Sequence, residues 1–173
     1  MKFKIASVIA TFFGVGYIKK APGTFGSLTA FPLFVLINIL IKNNKIEEYL
    51  LIAVIYLIDI IILYLLSYWS INIYISTNKK EDPSEVVIDE VVGQILAYMF
   101  ATLFPYYNVK NFMIFNILYL TLPFVFFRFF DIIKPSLVGY CDKNIHGANG
   151  VILDDVVAGI FAGICSTLIL WVV

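Results

Sequence analysis

Cysteine and histidine are nearly missing from this 173-residue chain, which has two of the first and one of the second. Cys141 and Cys165 form no CxxC pair and share no zinc-ligand spacing, so they read as reduced thiols, not as a metal cluster or a disulfide framework. Charge is scarce too: Asp, Glu, Lys and Arg make up 14% of the residues, against about a quarter in soluble domains. Twelve basic and twelve acidic side chains cancel, which argues against nucleic acid or another polyanion as a partner. Hydrophobic residues fill the gap at 61%, with a mean hydropathy of +0.94. The chain therefore reads as one domain, residues 1–173, that lives in a bilayer.

The apolar residues fall into five stretches, 28–41, 49–75, 86–107, 112–133 and 150–173. The last four reach the roughly 20 residues that a bilayer-crossing helix needs, and the first is marginal. Their lengths and glycine-poor interiors favour helices over the short alternating strands of a barrel, which predicts an all-α, polytopic membrane bundle of about five helices. Residues 1–18 have a basic start and an apolar middle but no small-residue cleavage site, so they read as mature chain and as a short interfacial helix. Loops 42–48 and 106–110 are short and carry no chemical pattern, whereas 14–27, 76–85 and 134–149 hold most of the glycine, proline and charge. If all five stretches cross, the loop-rich face has nine Lys and Arg and the other face three, so the positive-inside rule makes the loop-rich face cytoplasmic.

The acids are conspicuous because they interrupt apolar runs. VVIDEVVG (86–93) contains Asp89 and Glu90, and VILDDVVAG (151–159) contains Asp154 and Asp155. An uncompensated buried carboxylate costs several kcal/mol, and no Lys or Arg lies within a turn of Asp89, so its compensating charge must come from elsewhere. Four hard oxygen donors on two helices, without cysteine, describe an Mg²⁺-type site; an ion or proton pathway is the rival reading. DPSE (82–85) reads as a helix start with Asp82 as N-cap, Pro83 first in the helix and Glu85 as capping-box partner. Arg128, Asp131 and Lys134 are three apart at a helix end that Pro135 closes, either as an ion-pair ladder or as a phosphate-receiving pair steered by Asp131. APGTFGS (21–27) is either a turn with Ser27 as N-cap or a nest of backbone N–H groups for an anion, and His146 alone reads as a loop residue. Asp59 reads as a structural hydrogen-bonding residue, and Gly159 and Gly163 as a GxxxG packing face.

Taken in order, APGTFGS, DPSEVVIDEVVG and FRFFDIIKPSLVGYCDKNIHGANGVILDDVVAG resemble the three signature blocks of the phosphatidylglycerophosphatase A family. Its members are bacterial, Mg²⁺-dependent enzymes of the inner membrane that convert phosphatidylglycerol phosphate to phosphatidylglycerol. The resemblance covers nearly the whole chain, and one departure is Ala148, where the family usually has a second glycine after His146-Gly147. It implies catalytic Asp89, Glu90, Asp131, Asp154 and Asp155, with Asp82, Asp89, Glu90, Asp154 and Asp155 as Mg²⁺ ligands. Thr24, Ser27, Arg128, Lys134 and His146 would bind the substrate phosphate. Other phosphatase chemistries fit poorly. There is no DxDx[TV] motif, Cys141 has no arginine six residues on, and a single histidine cannot serve as both nucleophile and acid. A metal-activated water is then the natural attacker. The alternative function is a cation- or proton-coupled transporter using the same acids, which would need them near the midplane with access from both faces.

Overall fold

Among the residues that the computed structural model describes, 1–46, 48–80, 82–103 and 112–172, the chain is helical throughout, with no strand. The helices are α1 (Lys2–Ala10), α2 (Pro22–Asn43), α3 (Tyr49–Asn78), α4 (Ile88–Leu103), α5 (Phe112–Ile133), α6 (Leu137–Asn144) and α7 (Gly147–Val172). Four of them, α2, α3, α5 and α7, are long and apolar enough to cross a membrane. The expected connection at 106–110 and the end of the 86–107 stretch lie outside the described residues. So does Lys110, one of the three basic residues counted on the far face.

The helix that carries Asp89 and Glu90 differs in kind from the others. α4 packs against α2, α3, α5 and α7, and every residue from Ile88 to Tyr98 except Glu90 is buried. It spans 16 residues, about 24 Å at the usual helical rise. Lipid-facing helices here keep an exposed apolar face, as α3 does with Leu57, Ile61 and Leu65. α4 keeps none in that stretch, because its neighbours take the place of lipid. Packing, not bilayer exposure, explains why so apolar a helix tolerates carboxylates at its start.

α4 and α7 touch backbone to backbone. A Cβ on Gly93 would collide with the Asp155 carbonyl and the Phe127 ring, and one on Gly159 with the Gly93 carbonyl. Small residues at a crossing let helices approach this closely, as the GxxxG face predicts. The crossing sets Asp155 directly against α4, just below Asp89 and Glu90. Among the core clusters are Phe34, Tyr56, Ile95 and Tyr98 where α2, α3 and α4 meet, Ile71, Tyr74, Ile88 and Ile152 where α3 meets α4 and α7, and Phe127, Val138 and Ala158 around α5, α6 and α7.

Three helix starts differ from expectation. DPSE is a turn, and α4 begins only at Ile88. The Val86 N–H bonds the Pro83 carbonyl at 2.9 Å, and the Val87 N–H is captured by the Ala10 carbonyl of α1 at 3.0 Å. Asp82 and Glu85 therefore form no capping box, and Glu85 pairs instead with Lys80 at 3.3 Å. APGTFGS is not a loop with a Ser27 cap, because α2 starts at Pro22, whose fixed φ suits a first helical position. Ser27 lies inside the helix and donates to the Gly23 carbonyl at 2.9 Å. Finally, 134–149 contains α6, and α7 begins three residues earlier than its apolar run.

Glu85 also furnishes a small-effect prediction. Its Lys80 partner is largely exposed, so the pair contributes at most about 1 kcal/mol. If the activity implied by the resemblance is present, Glu85→Gln is expected to retain it within about twofold, read as phosphate released per enzyme; a loss approaching that of an Asp89 variant would place Glu85 in the chemistry.

Candidate active site

The loop-rich end of the bundle holds a cavity of about 340 Å³. It is built from all three loops singled out in the sequence: Ala21, Pro22 and Gly23 at the start of α2, Asp82, Pro83, Ser84 and Val86 before α4, and Asp142, Ile145, His146, Gly147 and Gly150 around the α6–α7 junction. Asp89 and Glu90 from α4, Arg128 and Asp131 from α5, Lys134 after it, and Asp154 and Asp155 from α7 close the remaining sides. Residues separated by more than 100 positions meet here because α2, α4 and α7 all begin at this end and α5 finishes there.

Seven carboxylates line this cavity: Asp82, Asp89, Glu90, Asp131, Asp142, Asp154 and Asp155. Two obligate cations, Arg128 and Lys134, face them. Arg128 is the hub of one side. Its Nη1 donates to Asp131 Oδ2 at 2.7 Å and to Ser27 Oγ at 3.2 Å, and lies 3.8 Å from Glu90 Oε1. Gly23 and Gly26 make this possible, since any side chain there would strike the Glu90 carboxylate. Lys134 is the hub of the other side: Nζ donates to Asp154 Oδ2 at 2.8 Å and to Asp142. Burial works against the charge on Lys134, but the hydrogen bonds to Asp142 and Asp154 outweigh it and raise its pKa above the ordinary lysine value. Lys134 is a fixed cation at any physiological pH.

The backbone around Lys134 is held in an unusual shape. Pro135 cannot continue α5, and Lys134 and Ser136 on either side of it adopt left-handed φ of 48° and 50°. Ala21, before Pro22, does the same at 51°. Such non-glycine residues cost on the order of 1–3 kcal/mol each and persist where surrounding contacts fix them. Here the reversal at Lys134 turns its side chain back over the cavity to reach α6 and α7.

What remains after these pairings is a set of donor oxygens with no protein partner. Asp89 Oδ1, Glu90 Oε2 and Asp155 Oδ1 are buried and unpaired. Among the described residues no three carboxylate or histidine side chains already stand as a closed metal shell. The donor chemistry nonetheless suits a hard divalent cation, being all carboxylate oxygen with no thiolate near. Asp89 and Asp155 are 7% and 4% exposed, and leaving them side by side without a counter-charge is costly.

Of the residues expected from sequence, Asp82, Asp89, Glu90, Arg128, Asp131, Lys134, His146, Asp154 and Asp155 all line the one cavity, with His146 exposed at its rim. Ser27 is buried behind Arg128 and outside the lining, bonded to the site through Arg128 and the Gly23 carbonyl, while Thr24, half-buried on α2, is also outside the lining. Asp142 was not among the expected site residues, although it shares Lys134 with Asp154. It falls within the third signature block, but nothing in the spacing gives it a role, because the contact depends on the backbone reversal at Lys134. Asp59 lies in the middle of α3, away from the cavity.

The chain has relatives among known proteins. A protein of Bacteroides thetaiotaomicron, provisionally named a phosphatidylinositol-3-phosphatase, is 31% identical over 169 residues, covering 96% of this chain and 94% of its own. Proteins named phosphatidylglycerophosphatase A from Haemophilus influenzae and Escherichia coli are 29% and 28% identical, each over 90% of this chain and over 82% and 77% of their own lengths. No solved structure matches the chain at a comparable level. The sequence profile of phosphatidylglycerophosphatase A runs from residue 8 to residue 170, so that every wall of the cavity falls within it, and the chain belongs to that family.

Proposed function

We propose that this protein is a membrane-bound phosphomonoesterase that removes the terminal phosphate of phosphatidylglycerol phosphate to give phosphatidylglycerol and inorganic phosphate, and that it requires Mg²⁺. One observation carries the reading: a single cavity at one end of a membrane bundle gathers seven carboxylates around two fixed cations and leaves three carboxylate oxygens unpaired. A phosphate dianion would be repelled by so acidic a lining unless divalent charge were bound there first. Asp89, Glu90 and Asp155, with Asp82 or Asp154 completing the set, are the residues that would hold it. The chemistry such an ion supplies is Lewis-acid neutralisation of phosphoryl oxygens and acidification of a water molecule.

The chain's own residues then divide the remaining work. Arg128, steered by Asp131 and Ser27, presents a planar donor fork to the phosphoryl oxygens, and Lys134 offers a point charge from the opposite wall. Water attacks phosphorus, the bond from phosphorus to the glycerol oxygen breaks, and the departing alkoxide takes up a proton. His146 at the rim faces the solvent side, where a headgroup would enter and leave. The α2 and α5 ends beside the cavity expose Phe25 and Phe129 outward, which suits a substrate whose chains stay in the bilayer. The nine-to-three asymmetry of basic residues, which counts α4 as running from the cavity end to the far end, supports a cavity toward the cytoplasm, and the named bacterial relatives support an inner-membrane setting.

The test is phosphate release from phosphatidylglycerol phosphate in mixed micelles, with phosphatidylinositol 3-phosphate as the comparison lipid. Release is expected with Mg²⁺ or Mn²⁺ and none in excess EDTA. No release from phosphatidylglycerol phosphate in saturating Mg²⁺ would overturn the substrate assignment, and full activity in excess chelator would overturn the metal requirement.

A further inference from the structure

One buried polar side chain near the cavity has no use in the mechanism above. Gln94 on α4 is fully buried, and neither its amide oxygen nor its amide nitrogen has a partner. An unsatisfied polar group in so apolar a setting costs on the order of 1–3 kcal/mol per atom, and a leucine or methionine would fill the space without that cost. The position is specific. Gln94 is one turn beyond Glu90, and i, i+4 side chains on a helix share a face. Helical side chains lean toward the N-terminus, so the Gln94 amide reaches back toward the Glu90 carboxylate.

The partner helix agrees with this placement. Glu90 stands over Gly26 of α2, and Tyr98 stacks on Phe34 of the same helix at 4.4 Å between ring centroids. The same register sets Gln94 opposite Ala30, a small buried residue that leaves room for a longer side chain. Two other buried groups on the Glu90–Arg128 pair are unpaired: Glu90 Oε2, an acceptor one turn before Gln94, and Nε, a donor, of the Arg128 whose Nη1 lies 3.8 Å from Glu90 Oε1. A primary amide carries one group of each complementary kind.

We propose that Gln94 is a positioning residue for the Glu90–Arg128 pair. Its NH₂ donates to Glu90 Oε2 and its carbonyl accepts from Arg128 Nε–H when the site is loaded. Glu90 Oε1 is thereby held toward the cavity and the Arg128 fork toward the phosphate. Gln94 touches neither substrate nor reacting atoms. The inference rests on the phosphatase reading for its kinetic consequence, but its effect on cation binding can be measured without turnover.

Gln94→Met, near in shape and apolar, and Gln94→Asn, polar but a methylene too short, test it together. Partners behind metal ligands typically change affinity or activity by 10–100-fold. Both variants are therefore expected to bind Mn²⁺ at least about tenfold more weakly, followed by the electron paramagnetic resonance signal of the free ion. Both should lower kcat by a similar factor with KM changed less than about twofold, while Gln94→Met keeps or raises the wild-type melting temperature. Wild-type Mn²⁺ affinity in a folded Gln94→Met protein would overturn the proposal. So would equal losses of kcat, KM and melting temperature, which would mark a packing role. If Gln94→Met does not fold, wild-type Mn²⁺ affinity in Gln94→Asn overturns it equally. Should wild-type protein bind Mn²⁺ but release no phosphate, the function fails while the Mn²⁺ comparison still decides on Gln94.

Discussion

Asp89→Asn and Asp155→Asn are each expected to lower kcat for phosphate release by roughly 10³-fold, the scale on which loss of one hard anionic ligand reduces stabilisation of phosphoryl charge. The change is nearly isosteric, so packing around two side chains that are 7% and 4% exposed is left in place. Each substitution also removes one of seven like charges around the cavity. Relief of that repulsion predicts folded protein with an unchanged or raised melting temperature in the absence of Mg²⁺. Activity and stability should therefore move in opposite directions. An Asp155→Asn protein with near-wild-type kcat would remove that residue from the chemistry. A variant that lost activity only because it unfolded would show these carboxylates to be structural.

Gly159→Leu is expected to abolish folded protein altogether. The residue facing Gly159 is the backbone of Gly93, which cannot rotate out of the way as a side chain could. Overpacking ordinarily costs about 1–3 kcal/mol, and a clash with immovable backbone between two central helices belongs at or above the top of that range. Gly163→Ala is the smaller insult, since it adds a single methyl whose nearest neighbours are the Cβ and ring of Phe100 rather than backbone carbonyl. Size-exclusion chromatography in detergent should show Gly159→Leu as aggregate and Gly163→Ala as a monodisperse peak with a lowered melting temperature. A monodisperse, thermally normal Gly159→Leu protein would mean that α4 and α7 do not cross at this point.

The sequence was most legible where physics acts locally. α3 and α5 lie where their apolar runs place them, at 49–78 against 49–75 and at 112–133 in both readings, because roughly 20 consecutive apolar residues leave few options. Asp89, Glu90, Asp154 and Asp155 were legible for the opposite reason: they violate their surroundings, and nothing local relieves them. The misread starts of α2 and α4 have different causes. Pro22 opens α2 five residues before the cap expected at Ser27, and the Ala10 carbonyl takes the Val87 N–H before α4 begins. The pairing of the cations was likewise hidden. Arg128 and Asp131 form the expected i, i+3 contact, whereas Lys134 leaves that ladder for Asp142 and Asp154 through a backbone reversal that spacing does not encode.

The crossing at Gly93 and Gly159 also bears on biogenesis. α4 is made well before α7 and leaves the ribosome with Asp89 and Glu90 but without Asp154, Asp155 or the Lys134 loop in its final place. Until α7 docks, the segment most in need of enclosure has one side open. A nascent chain is thus both catalytically inert and the species most in need of protection by the insertion machinery, and competence for turnover arrives in the same event that seals the fold.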